Sequence, residues 1–286
     1  MKTKGEKTMA LAIQIKKCRV PRGSMGLAWL GQAGFLIKSP AGVVVALDPY
    51  LSDSCAAIGR SIGVNMKRQV PAPLVPRDLL ACEAMFFTHS HQDHVDPETI
   101  QPYLATGGGA HFVAPAQAAE RLRSLGVPAE NISLTWPSQS QKVGDLTFTA
   151  TFAIPFGADD LTHVGYLVEA KNGPKIYFTG DTDYNEILSL SVAPAQPDIM
   201  VTVINPAFRN LSPADAARLA KAINPRWVIP CHHDLFPDNC LPDRLLRTNL
   251  AVLGMEKTFC PLEHGEIRIF ERSKTVKKPR KKSGNR

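Results

Sequence analysis

The chain has 286 residues, 44% of them apolar and 21% charged, which suits a globular protein with a substantial core and excludes a disordered or fibrous one. No run approaches the roughly 18 consecutive apolar residues that cross a bilayer, so a membrane-spanning protein is not expected. The formal charge of +7 sits at one end: residues 272–286 carry five lysines, three arginines and no acid, and removing them leaves 7 − 8 = −1 for residues 1–271.

The near-neutral body is expected to be one domain of residues 1–271, followed by a basic, disordered tail at 272–286. Contact of that tail with RNA or an anionic surface is the alternative reading. At the N-terminus the apolar run is short and broken by Gln14 and Lys16, so no signal peptide is read and the cytoplasm is the default location. The six cysteines lack CxxC spacing and are expected as reduced thiols. Cys231 reads first as a small buried residue at a strand end, and second as a ligand.

Short strand-like runs open the chain: GLAWLG (26–31), GFLIKS (34–39) and VVVALD (43–48), with Gly and Pro between them. Residues 53–77 read as a long loop. ACEAMFF (81–87) is a near-continuous apolar run, as expected of a buried strand. A helix follows at 115–125, with Pro115 at its start and Gly126 at its stop. LTFTATFAI (146–154) alternates as a half-buried strand, and GYLVEA, KIYFTG and DIMVTVI continue the series. SPADAARLAKAI predicts a helix capped by Ser212, with Ala216, Leu219, Ala220 and Ile223 on one face. RWVIPCHHD is a strand running into a histidine pair. Strands first, then strands mixed with helices, suggest a two-sheet sandwich flanked by helices.

THSHQDHVD places three of the chain's eight histidines and one aspartate within six residues. Side chains of an extended segment repeat every two residues, so His89 and His91 point the same way and can share an ion. Asp93 and His94 lie beyond the strand end, where the turning chain can present ligands to a second ion. Imidazole and carboxylate together suit Zn, Mn or Fe. Four such groups buried without a metal would leave donors and charge unpaired. Asp181, in a Gly-Asp-Thr turn, reads by itself as a turn residue. A strand-end His232-His233-Asp234 is the type of cluster that binds metal.

The segment H-x-H-x-D-H after an apolar strand, followed by GDT at 180–182 and a strand ending in His232, resembles the metallo-β-lactamase superfamily. WLGQAGFLIKS, LDPYLSD, THSHQDHVD, YFTGDTDY and VIPCHHDLF are more narrowly similar to the L-ascorbate-6-phosphate lactonase group. The resemblance covers the chain to about residue 270. It implies an α/β fold, a four-layer αββα sandwich of two mixed β-sheets, with one or two divalent ions per chain: Mn or Zn, with Fe as an alternative. His89 and His91 would bind one ion, and Asp93, His94 and His232 the other, with Asp181 bridging. Asp48 would orient a ligand histidine, and His233 would contact substrate or support a ligand. Many members carry a further histidine before the bridging aspartate; where it is expected, this chain reads AIPFG. His163 is the candidate to replace it, with Asp159 and Asp160 as alternatives.

The function implied is hydrolysis of a cyclic ester of a sugar acid, phosphorylated or not, by attack of a metal-activated water. Asp93 would orient that water and move its proton. The expected partner is a small, anionic substrate, and no membrane. A phosphodiesterase or nuclease of the same fold is the enzymatic alternative, which only the basic tail favours. A metal-binding module without turnover is the alternative of another class, and Asp93 and Asp181 argue against it. Residues 53–77 and 155–163 are expected to shape the pocket, and neither contains anything that reads as a phosphate clamp.

Overall fold

The computed structural model describes residues 4–155, 157 and 160–272. The chain opens with helix α1 (Lys4–Lys17), then strands β1 (Ser24–Gly31), β2 (Gly34–Lys38) and β3 (Val44–Leu47). Helix α2 (Cys55–Ser61), β4 (Ala84–Phe86), α3 (Pro97–Ala105), β5 (His111–Ala114), α4 (Ala116–Ser124) and β6 (Ile132–Leu134) complete the first half. The second half begins with β7 (Ser140–Val143), β8 (Leu146–Phe152), β9 (Val164–Ala170) and β10 (Lys175–Phe178). It continues with α5 (Glu186–Val192), β11 (Ile199–Val203), α6 (Pro213–Ile223), β12 (Trp227–Cys231), α7 (Arg244–Val252) and β13 (Ile267–Glu271).

Among the described residues the strands form a seven-stranded sheet, ordered β13-β1-β2-β3-β4-β5-β6, and a six-stranded sheet, ordered β12-β11-β10-β9-β8-β7. Both are mixed: β3 to β6 run parallel in the first and β10 to β12 in the second, with antiparallel pairs beside them. Burial follows the two-residue strand period. Met25, Leu27 and Trp29 of β1 join the core between the sheets, while Ala28 and Leu30 join a second core under the helices. Phe86 of β4 stacks on Phe148 of β8 across the sheets, with ring centroids 3.9 Å apart. Leu122 of α4 and Tyr103 of α3 cover the first sheet; Leu188 of α5, Leu219 of α6 and Leu250 of α7 cover the second. The layers are therefore helix, sheet, sheet, helix, as the sequence implied.

Helix α6 forms as its local signals require. Ser212 Oγ accepts from Asp215 N at 3.1 Å, and Ala216, Leu219, Ala220 and Ile223 are buried. The loop expected at 53–77 is corrected: it contains α2 and the start of a 3-10 turn at Pro76–Ala81. No described helix is long and apolar enough to cross a membrane. The basic tail after Arg272 lies outside the described residues.

The parallel strands matter most for function, because their carboxyl ends converge on one edge of the sandwich. Asp48 follows β3, Thr88 to His94 follow β4, Asp181 follows β10, Asn205 follows β11 and His232 follows β12.

Candidate metal centre and its cleft

Beyond β4 the chain bends at Thr88 and turns after His89, with the His94 and Val95 amides both donating to His91 O. The turn is tied at both ends. Ser90 N donates to Asp160 Oδ2 at 2.7 Å, which also anchors the segment carrying His163. Asp96 caps α3 and accepts the hydroxyls of Ser52 and Ser54 at 2.9 and 2.8 Å, which fixes the approach to α2.

Three overlapping groups of ligand-type atoms result, each with its atoms within 4.8 Å of one another: His89, His91 and His163; His89, His94 and Asp181; Asp93, His94 and His232. His232 Nε2 lies 3.2 Å from Asp93 Oδ2 and 3.4 Å from Asp181 Oδ2. His94 Nε2 is 3.5 Å from Asp181 Oδ1. The structure thus brings His163 to His89, ring centroids 3.9 Å apart, although the sequence places it later than expected. Asp160 is spent on Ser90 and Thr162, so it is not a competing ligand. Asp159 lies outside the described residues.

A divalent ion fits these residues for a reason visible in the protein. His94 Nε2, His163 Nε2 and Asp181 Oδ1 are buried and have no hydrogen-bond partner. Buried polar atoms are seldom left so, and ions held by these groups would satisfy all three. The donor set of imidazole and carboxylate is one that Zn, Mn and Fe accept.

Charge divides the cluster. Burial, reinforced by His94 and His163, holds His89 well below the usual imidazole range, and burial also lowers His163. Burial opposes the charged form of His94 as well, but Asp181, Asp48 and Asp93 outweigh it and raise it. His232 is pushed up to about 9 against its burial, chiefly by Asp181. In the same way burial favours the neutral acids, yet the facing histidines lower Asp93 and Asp181.

A supporting shell fixes these groups. Asp48 Oδ2 accepts from His94 Nδ1 at 2.8 Å and from Thr88 Oγ1 at 2.6 Å. Asn210 Nδ2 donates to Asp181 Oδ2 at 2.6 Å, and Gln32 Nε2 donates to Asp93 Oδ2 at 2.9 Å. Gln32, Asp48 and His232 all adopt positive φ, at 48°, 43° and 57°. Such strain in non-glycine residues gathers where function over-determines the backbone. Gly180 (φ +63°) is required beside Asp181, because a Cβ there would stand 2.6 Å from Val164 O.

Sequence reasoning missed Gln32, Thr88 and Asn210, and took Asp160 as an alternative ligand rather than as the anchor of Ser90 and Thr162. The signal for Asp160 was its place three residues before His163. Gln32 is flanked by Gly31 and Gly34 in a tight turn, but a buried amide has no periodic mark.

A cleft of about 530 Å³ opens over the cluster, lined by His91, Asp93, His163, Asp181 and His232 and by parts of both halves of the chain. His233 does not line it. Its ring packs 4.8 Å from that of Trp29, and Nδ1 lies 2.8 Å from Asp234 Oδ2. His233 thus does not reach the cleft where a substrate contact was expected: the left-handed turn at His232 leaves its neighbour packed in the wall behind. Cys231 ends β12 buried and belongs to none of the three groups. A groove of about 550 Å³ between α5, α6 and α7 holds none of this chemistry.

Comparison with known proteins agrees with this geometry. A family model described as a beta-lactamase superfamily domain matches residues 45–233. A UPF0173 metal-dependent hydrolase of Myxococcus xanthus (strain DK1622) is 31% identical, with 76% of this chain and 73% of the relative covered. A probable L-ascorbate-6-phosphate lactonase UlaG of Salmonella heidelberg (strain SL476) is 25% identical, covering 78% of this chain and 73% of the relative. Among solved structures, an isothiocyanate hydrolase from Delia radicum gut bacteria superposes with a TM-score of 0.69 at 20% identity, covering 87% of this chain and 100% of that one. Igni18, a metallo hydrolase from Ignicoccus hospitalis KIN4/I, gives 0.67 at 19%, with the same coverage. At those identities the structural likeness carries the fold alone.

Proposed function

Because the chain belongs to the metallo-β-lactamase superfamily, as a metal-dependent hydrolase of that fold, we propose that its substrate is a lactone, opened by water to the hydroxy acid. We assign His89, His91 and His163 to one ion and Asp93, His94 and His232 to a second, with Asp181 between them. Ions held there would supply Lewis acidity, lowering the pKa of water toward neutrality and polarising the ester carbonyl.

The protein's part follows from Asp93. Its Oδ2 is engaged by Gln32 and lies beside His232, whereas Oδ1 faces His94 Nε2 at 3.8 Å. Oδ1 is therefore the atom placed to take a proton from the attacking water and return it to the ring oxygen as the C–O bond breaks. That carboxylate on the cleft, a candidate ligand whose Oδ2 is held by Gln32, is the observation that carries the hydrolytic reading.

The lactone preference is supported by the Salmonella relative's name and by the shared sequence motifs. The phosphate of the sequence-level expectation finds less support. Among the described residues lining the cleft, Arg121 is the one arginine or lysine, and its Nε and Nη2 donate to Val95 O and Gln92 Oε1. The test is a panel of lactones and phosphodiesters offered to metal-loaded protein. Turnover of phosphodiesters with none of lactones would overturn the proposal.

A further inference from the structure

The cleft has two unlike walls. Cys55, Ile58 and Ile62, spaced three and then four residues apart, lie along one face of α2 and its end, and that face lines the cleft. Ile58 and Ile62 remain 40% and 55% exposed, so apolar surface stands in water at the mouth of the site. Met66 and Phe236, packed with Cys55, continue the apolar wall.

The other wall is a chain of neutral amides leading to the metal cluster. Asn239 Oδ1 accepts from Asn205 Nδ2, and Asn205 Oδ1 accepts from Asn210 Nδ2, both at 3.2 Å; Asn210 in turn donates to Asp181. Such a wall reads hydroxyl or carbonyl oxygens. It offers no second cation to pair with Arg121, whereas a phosphate dianion is ordinarily held by several charge-assisted donors.

We infer that the substrate carries an aliphatic or aromatic limb that lies against Ile58 and Ile62 of α2, with its ester end on the Asn210–Asp181 side and no phosphate on the limb. This names the substrate class of the lactone reading and rests on it for the bond that is broken. The physical warrant is burial: covering exposed isoleucine with ligand removes apolar surface from water, worth about fourfold in affinity per methylene buried.

The decisive probe does not depend on which bond the enzyme cleaves. Straight-chain alkyl hydroxamates of two to eight carbons, titrated calorimetrically into the metal-loaded full chain, report limb binding directly. Affinity should rise about fourfold per added methylene over the first few carbons. In the Ile58→Ala/Ile62→Ala double variant, the eight-carbon to two-carbon affinity ratio should fall by about tenfold or more, with metal content unchanged. Because both side chains are partly exposed, the fold is expected to survive the change. A flat series in the parent protein, or an undiminished ratio in the variant, would overturn the inference. So would a preference of tenfold or more for 6-phosphogluconolactone over gluconolactone. Hydroxamates that follow the predicted series beside lactones that are not hydrolysed would uphold the limb and sink only the lactone reading.

Discussion

Asp48 Oδ2 and His94 Nδ1 lie 2.8 Å apart with both side chains fully buried, so the ring donates from Nδ1 and presents Nε2 to Asp181 and Asp93. A carboxylate that holds the far ring nitrogen in one tautomer is the usual second partner of a metal-ligating histidine. Asp48 is itself fixed, because Thr88 N and Thr88 Oγ1 both donate to it.

Asp48→Asn keeps an oxygen for Thr88 N but replaces the carboxylate behind His94 with an amide. Metal affinity, read by competition with a coloured chelator, should fall about 10- to 100-fold. Unchanged affinity would show that His94 does not depend on Asp48.

Asp181 and Asp93 should separate metal holding from chemistry. Asp181 faces both His94 and His232, so Asp181→Ala is expected to lower metal content as well as rate. Asp93→Asn retains an oxygen but loses the proton acceptor. Metal should largely remain while kcat drops about 10²–10⁴-fold. Near-normal kcat in Asp93→Asn would remove it from proton transfer; full metal stoichiometry in Asp181→Ala would remove it from the space between the ions.

The fold and half of the site were legible because their signals are local. H-x-H-x-D-H needs only a strand end and a turn, and the Ser212 cap lies within three residues of its partner. His163 was ambiguous for the opposite reason. It precedes β9 in the second sheet and reaches His89 only because Val164 N bonds Thr88 O across the sandwich and Asp160 holds Ser90. No sequence spacing encodes that pairing. Helix α2 escaped notice because Gly59 and the polar residues around it blur its apolar face. Gln32 was hidden because a buried amide in a turn looks like any loop residue until its partner, Asp93, is placed beside it.

Acidity should show the paired charges in metal-free protein. His94 is raised and His232 is pushed up to about 9, above the unfolded value of about 6.5. Their contribution to stability is therefore complete below about pH 6.5 and is lost as the pH rises through the folded values. Asp93 and Asp181 are lowered, so theirs is complete above about pH 4 and lost on acidification below that. His89 and His163 are lowered, so holding them neutral costs stability increasingly as the pH falls below about 6.5, and thermal melts of the metal-free chain should peak near pH 6.5 and decline toward pH 9. Metal-loaded protein should lack that alkaline decline, because binding displaces the same protons. A metal-free Tm that climbs from pH 6.5 to 9 would contradict the assignment.

The basic end should be dispensable for the domain. Strand β13 runs to Glu271, and Arg272 N still donates to Gly23 O, so the cut belongs after Arg272. Chain ending there is expected to keep the parent Tm and lactone turnover. A large drop in Tm would place part of the core beyond residue 272. Loss confined to nucleic-acid substrates would favour the nuclease reading.

The central claim, a hydrolase that works through metal held by His89, His91, His163, Asp93, His94, His232 and Asp181, is tested most directly by elemental analysis of the purified full chain alongside lactone hydrolysis before and after chelation. One or two equivalents of Mn, Zn or Fe are predicted, with turnover abolished on chelation and restored by adding the ion back. Undiminished turnover in protein shown to be free of metal would contradict the account.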